Sequence, residues 1–228
     1  MKSVDSDLYQ YMPDRSKLTA TAEFEAQREL IRHILRAEAH SPHPEKWSVQ
    51  GFGMLRMYID PEKRYRLNIW DDRLAVPNVS IIHDHPWHFK SWIISGHFRN
   101  RRYSVVSPLT TNSDHYSFAT IMTGEGGGPV ENPRTLWLGA NYGMEHYGPG
   151  DTYSQEADEI HASFYRRGTI TLNERTPIDR ASHARVFWPH GTDWVDAMPR
   201  AAIVWEIDMV LKTALEEMEQ FDRTLRRE

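Results

Sequence analysis

The chain has 228 residues, a formal net charge of −5, 39% hydrophobic residues and no cysteine. The lack of cysteine excludes disulfides, zinc–thiolate sites, iron–sulfur clusters and cysteine nucleophiles. The negative charge argues against a nucleic-acid partner, because phosphate contacts need clustered Lys and Arg. No apolar run approaches the ~20 residues that cross a bilayer, and the N-terminus lacks a signal-peptide core, so we expect a cytoplasmic protein with no membrane partner.

The first predicted element is a helix over residues 21–39, in which apolar side chains recur at helical spacing: Phe24, Leu30, Ile31, Ile34 and Leu35. Pro42 and Pro44 end this helix. Together with the irregular residues before it, the helix makes up an N-terminal extension over residues 1–45.

Short segments of β type follow, separated by turn-forming residues. They cover residues 53–59, 65–70, 79–84, 88–95, 98–106, 115–122, 135–138, 151–154, 160–165, 169–172 and 184–188. No helical pattern interrupts them, which predicts an all-β core, a sandwich or barrel, over residues 50–190. The glycine-rich stretch 124–128 predicts a mobile loop.

A long helix over residues 201–226 closes the chain, within a C-terminal segment 200–227. We expect the two terminal helices to cover one outer face of the β core. No convincing boundary divides the sequence, so residues 1–228 are interpreted as a single domain.

Two histidines two residues apart, His83 and His85, are the strongest chemical signal. They follow the apolar run 79–82, and alternation along a strand would place both side chains on one face. Imidazoles about 7 Å apart along a strand can converge on one metal ion. His161 lies in a later predicted strand and is the predicted third ligand. The alternative is that these histidines are ordinary surface or core side chains.

This pattern resembles the cupin superfamily, whose first motif has His-x-His and a later Gly, and whose second motif opens with Gly and adds a third His. His83, His85 and Gly96 match the first motif, and Gly150 and His161 match the second. The runs His-Asp-His-Pro-Trp (83–87) and Ser-Trp-Ile-Ile-Ser-Gly (91–96) are similar to a bacterial and phage cupin-like group. The resemblance implies a double-stranded β-helix, a jelly-roll barrel flanked by the helices, and a possible homodimer.

The cupin glutamate falls on Phe89 or Lys90, and neither side chain can replace a carboxylate ligand. The site is therefore similar to the neutral three-histidine sites of thiol dioxygenases, which bind Fe(II). This resemblance implies an O₂-dependent oxygenase acting on a small, chelating, anionic substrate. Glu159 remains open as a fourth ligand, with a solvated acid as the alternative. His88 is expected on the opposite strand face, and whether it joins the site also stays open.

Arg66 and Tyr103 are the predicted catalytic residues. Arg66 would bind a substrate anion and Tyr103 would donate a hydrogen bond to bound oxygen or substrate. A solvated surface arginine and a structural tyrosine are the alternatives for these two positions.

Two other functions stay open. One is a metal-dependent isomerase, lyase or hydrolase with Zn(II), Ni(II) or Mn(II), since imidazole suits several metals. The other is a non-enzymatic cupin-like protein that binds a small molecule. The sequence contains no serine nucleophile elbow, no dinucleotide-binding glycine fingerprint and no His-Glu-x-x-His motif.

Overall fold

The computed structural model describes residues 22–110, 113–121, 133–141, 143–178, 183–193 and 199–225, apart from the side chains of residues 23 and 225. The two α-helices are α1 (Ala22–His40) and α2 (Val204–Leu225). The strands are β1 (Trp47–Gln50), β2 (Phe52–Tyr58), β3 (Tyr65–Ala75), β4 (Ile82–His83), β5 (Trp87–Ser95), β6 (Phe98–Val105), β7 (Ser113–Ile121), β8 (Arg134–Ala140), β9 (Glu145–Tyr147), β10 (Thr152–Gln155), β11 (Ile160–Tyr165), β12 (Thr169–Pro177), β13 (Ala184–Pro189) and β14 (Arg200–Ala201).

The strands form two antiparallel sheets. The first sheet has the order β10-β5-β12-β3-β2-β1-β14, and the second has the order β11-β4-β13-β7-β8-β6-β9. An additional pairing of β11 with β6 closes six strands of the second sheet into a ring. The fold is therefore mostly β, with a closed barrel and two helices, and is consistent with a jelly roll.

Both helices pack on the outer face of the first sheet, as expected from the sequence. The buried cluster between them joins side chains of β2, β3, β5 and β12 to side chains of the helices: Leu55, Met57, Leu67, Ile69, Ile94, Ile170 and Leu172 with Ile31, Leu35, Ile207, Val210, Leu211 and Met218. Asp222 of α2 accepts from Arg32 of α1 at 2.7 Å and also from Arg28. No helix in the described part of the chain is long and apolar enough to cross a membrane.

The ring of the second sheet encloses its own apolar cluster, formed by Ile82, Leu138, Ile160, Ala162 and Phe187. Residues directly opposite each other on paired strands share a face. Because Ala162 lies opposite Ile82 and His161 lies opposite His83, both histidines are on the other face of the ring. That face looks toward the first sheet.

The structure corrects several predicted bounds. The predicted strand 79–84 is reduced to β4, because the chain leaves the second sheet after His83 and enters the first at Trp87. His85 therefore lies in the connection between the sheets, next to Pro86, which lacks an N–H for strand pairing. The C-terminal helix begins at Val204 rather than residue 201, since Arg200 and Ala201 pair with β1 instead.

Three short strands have no counterpart in the prediction: β1, β9 and β14. The glycine-rich stretch 124–128 lies outside the described residues.

Candidate metal centre

The three predicted histidines come together between the two sheets. His83 on β4 and His161 on β11 are directly opposed, and His85 reaches them from the connection that follows β4. One ligand atom from each of the three rings lies within 4.8 Å of the others. The arrangement could hold a divalent metal ion, and the convergence of the three predicted ligands is confirmed.

One spacing within the cluster matches coordination geometry. The Nε2 atoms of His85 and His161 are 3.1 Å apart. Two nitrogens bound to one ion at about 2.1 Å, at angles between octahedral and tetrahedral, are about 3.0–3.4 Å apart. The contact is a hydrogen bond between the two rings, and its length is also compatible with both nitrogens binding a single ion.

Hydrogen bonds fix the tautomer of His83. Its Nδ1 lies 3.0 Å from the carbonyl oxygen of Ile81, which can only accept. Nδ1 therefore carries the proton and Nε2 of the neutral ring keeps its lone pair. The hydrogen bond from Nδ1 to the Ile81 carbonyl oxygen orients the ring, as is typical of histidines that bind metals through their other nitrogen.

The tautomer of His161 follows from a longer chain of contacts. Asn100 Nδ2 donates to Glu145 Oε2 at 2.9 Å, so Asn100 Oδ1 faces His161 Nδ1 at 2.8 Å. An amide oxygen can only accept, and His161 Nδ1 must therefore donate. The Nε2 atom of His161 therefore keeps its lone pair, which faces His85 Nε2.

Removal from water favours the uncharged form of all three rings. It is the main reason that the pKa of His83 falls to about 4, and the nearby charge of Arg66 contributes to the same shift. The pKa values of His85 and His161 also lie well below the usual value, mainly because both rings are buried. A neutral imidazole is the form that binds metal ions.

Aromatic side chains surround the histidines. Phe52 stacks on His83 with ring centroids 5.5 Å apart, and Phe89 meets the edge of His85 at 5.0 Å. Phe89 stands where the resemblance places the cupin glutamate, and it is buried against the triad. Neighbouring Lys90 is exposed. The apolar wall lowers the local dielectric around the ring nitrogens.

Neither of the open ligand candidates joins the cluster. Glu159 forms an ion pair with Arg102 on β6 and accepts from the Glu156 N–H at 3.1 Å. His88 accepts from the Ala157 N–H through Nδ1 at 3.1 Å and is partly exposed. In the described part of the chain, the group able to hold an ion contains histidines alone.

The two predicted catalytic residues have different surroundings. Arg66 on β3 is only 7% exposed, and its charge lowers the pKa of all three histidines. Tyr103 on β6 lies opposite Ile160, on the face that packs into the ring cluster. Because His161 points to the other face of the same strand pair, this placement does not support the role predicted for Tyr103.

Sequence reasoning missed Asn100, which holds the third histidine. Its only signal in the sequence is its position on β6, where Phe98, Asn100 and Arg102 share one face of the strand. That position does not identify which strand lies beside β6, so it does not point to His161.

No protein-family model matches the chain, and no curated protein matches it either. The likeness to cupins therefore depends on the histidine spacing, the antiparallel barrel and the position of the triad between the sheets.

Proposed function

We propose that this chain is a cupin-type, mononuclear non-haem metal enzyme. His83, His85 and His161 would hold Fe(II), and the activity would be an O₂-dependent oxygenation of a small, chelating, anionic substrate. One observation carries the proposal: three neutral imidazoles, His161 buried and the other two half-buried, converge in an arrangement that could hold a single ion, with no carboxylate from the described residues among them.

The donor set bears on the kind of chemistry. Three neutral ligands leave a divalent ion its full charge, which favours an anionic substrate that binds beside them. When bound, Fe(II) supplies the electron-transfer chemistry that O₂ activation requires. A set with one carboxylate ligand would instead neutralise part of that charge.

The chain's own residues would do the rest. Asn100 orients His161, and Phe52 and Phe89 exclude water from the ring nitrogens. Arg66 supplies a buried cation on the same side of the first sheet as the aromatic wall. In this scheme the three histidines hold the metal, and Arg66 binds the substrate anion.

Oxygen consumption tests the proposal. The purified chain would be stripped of metal, loaded with Fe(II) under nitrogen, and offered small carboxylates that carry a neighbouring thiol, hydroxyl or keto group. We expect oxygen uptake that matches substrate loss in the Fe(II) protein. The Zn(II)-loaded protein and a His161→Ala variant loaded with Fe(II) should take up none.

Other outcomes would contradict the oxygenase. Turnover without O₂ by protein loaded with Zn(II), Ni(II) or Mn(II) would indicate an isomerase, lyase or hydrolase. Ligand binding that is equal in metal-free wild type and His161→Ala would indicate a binding protein without metal chemistry.

A further inference from the structure

Three arginines project from the inner face of the first sheet, and we call Arg56, Arg66 and Arg175 the arginine cluster. Arg66 on β3 lies directly opposite Tyr58 on β2 and Asn173 on β12. Arg56 is two residues before Tyr58, and Arg175 is two residues after Asn173. Because side chains alternate along a strand, all three arginines share the face that looks toward the triad.

The cluster has no counter-charge within the described residues. None of the three guanidinium groups forms an ion pair with a described carboxylate, although many other arginines of this chain do, such as Arg73 with Asp71 and Arg185 with Asp84. The Nε atoms of Arg66 and Arg175 are buried without a hydrogen-bond partner. Buried charges are normally paired, since an unpaired one is costly to remove from water.

The electrostatics agree with this geometry. Burial, together with the charges of Arg56 and Arg175, lowers the pKa of Arg66 to about 10. Arg66 still carries its charge at neutral pH. The cluster is thus a set of like charges held close together in a partly dry environment.

The arginine cluster adjoins the metal centre. The guanidinium of Arg175 lies 3.9 Å from the centroid of the Trp87 ring, and Trp87 in turn packs against His85 at 5.6 Å. Arg175 is also directly opposite Phe89, which contacts His85 and His161. A small molecule bound at the triad would therefore lie close to Arg175, the nearest member of the cluster by these contacts.

Further buried hydrogen-bond donors lie on the same face. Trp87 Nε1 has no partner among the described residues, and Ser91 Oγ is buried beside the Tyr153 side chain. Ser91 lies opposite both Asn173 and Tyr153, in the same row across the sheet as Arg66. Arg56 Nε donates to Ser48 Oγ at 3.2 Å, and Arg175 Nη1 donates to Tyr58 Oη at 3.3 Å and to the carbonyl oxygen of Lys63 at 3.1 Å. None of these acceptors is a carboxylate, so the charge of the cluster stays complementary to an oxyanion.

We infer that the arginine cluster binds a doubly charged oxyanion of the substrate, a phosphoryl group or a pair of carboxylates. The inference rests on the proposed function, because it names the substrate class for the same cavity. Guanidinium groups match such anions through two parallel N–H bonds, and several of them favour an anion with more than one charge. A single carboxylate would leave part of the cluster unpaired.

Anion titration of the metal-free full chain tests this inference. Inorganic phosphate, malonate and acetate would each be titrated by calorimetry at pH 8 and matched ionic strength. We expect phosphate or malonate to bind at least about tenfold more tightly than acetate. A preference for phosphate would identify a phosphoryl group, and a preference for malonate would identify a dicarboxylate.

Two substitutions and a control locate the site. Arg66→Gln and Arg175→Gln should each weaken binding of the preferred anion by about tenfold or more. Arg36→Gln removes an exposed arginine of α1 and should leave binding unchanged. Arg66→Gln should also raise the Tm of the anion-free protein, because it removes a buried, unpaired charge.

Two results would overturn the inference. One is equal binding of phosphate, malonate and acetate by the wild type. The other is binding by Arg66→Gln and Arg175→Gln that equals binding by Arg36→Gln. Since the protein carries no metal in this experiment, a failure of the Fe(II) and O₂ chemistry leaves the titration unaffected, and the two proposals can fail separately.

Discussion

At the scale of single residues, the candidate metal centre includes an amide side chain in addition to its three imidazoles. Asn100 lies between His161 and the carboxylate of Glu145, and that carboxylate also accepts from Arg102 at 3.0 Å. This chain of contacts sets which nitrogen of His161 carries the proton. Partners of this kind hold metal-binding rings in place and raise their basicity.

Replacement of Asn100 should therefore weaken metal binding without removing a ligand. We expect Asn100→Ala to lower the affinity for Zn(II) by about 10- to 100-fold, measured by calorimetric titration of the metal-free chain. Asn141→Ala is the matched control, because Asn141 is exposed and its side chain accepts only from Ser104 Oγ among the described residues. Equal affinity in the two variants would contradict the role of Asn100.

The sequence predicts the ligands better than it predicts their surroundings. The convergence of His83, His85 and His161 could be predicted because the His-x-His pair and the later histidine follow a recognisable spacing. Asn100 could not, since its contact with His161 joins residues 61 positions apart and depends on the pairing of β6 with β11. The burial of Arg66 was equally inaccessible, because an arginine in a strand can face either water or a cavity.

At the scale of elements, the turn from β5 to β6 joins the first sheet to the second and packs closely against β12. Gly96 at this turn has φ +82°, and a Cβ there would lie 2.7 Å from Thr169 Cα. Thr169 Oγ1 accepts from the His97 N–H at 3.1 Å and donates to its carbonyl oxygen at 2.9 Å. The backbone can approach β12 this closely only because residue 96 has no side chain.

Gly96→Ala should consequently destabilise the fold strongly. We expect a loss of about 2–5 kcal/mol in the free energy of unfolding, from left-handed backbone strain of about 1–2 kcal/mol and a clash of about 1–3 kcal/mol. Gly143→Ala separates the two causes, since Gly143 also has φ +82° but no atom lies within 4 Å of its added Cβ. Urea unfolding should give only about 1–2 kcal/mol for that control, and equal losses would refute the close approach.

Strands with clear alternation were predictable, and short strands were not. The predicted strand 160–165 agrees with β11, and 88–95 agrees with β5 to within one residue. Strands β9 and β14 have three and two residues, too few for alternation to be read. Their positions depend on pairing with β6 and β1, which no local pattern reveals.

At the scale of the whole molecule, the three histidines lie where the two sheets meet. His83 and His161 belong to the second sheet, while His85 contacts Phe89 of the first. An ion bound by all three rings would hold the connection between the sheets in its folded position. Binding of this kind stabilises the folded chain by mass action.

Added metal should therefore raise the unfolding temperature. With Zn(II) at 100 times its dissociation constant, we expect about 2.7 kcal/mol of extra stability, or roughly 5–10 °C in Tm by calorimetry. His161→Ala at the same Zn(II) concentration should gain far less, and a chelator should reverse the wild-type gain. A Tm increase of equal size in the variant would mean that the ion binds elsewhere.

The two faces of the first sheet have different roles: the outer face packs against the helices, and the inner face looks toward the triad. Its outer side chains meet α1 and α2 in an apolar cluster, and its inner side chains, including Arg66, Ser91 and Asn173, face the triad. Mutation can therefore alter the chemistry of one side while the other side continues to specify the fold. A lineage that carries this sheet can diverge toward new small molecules by exchanging inward residues of β3, β5 and β12, without first acquiring compensating changes among the helices.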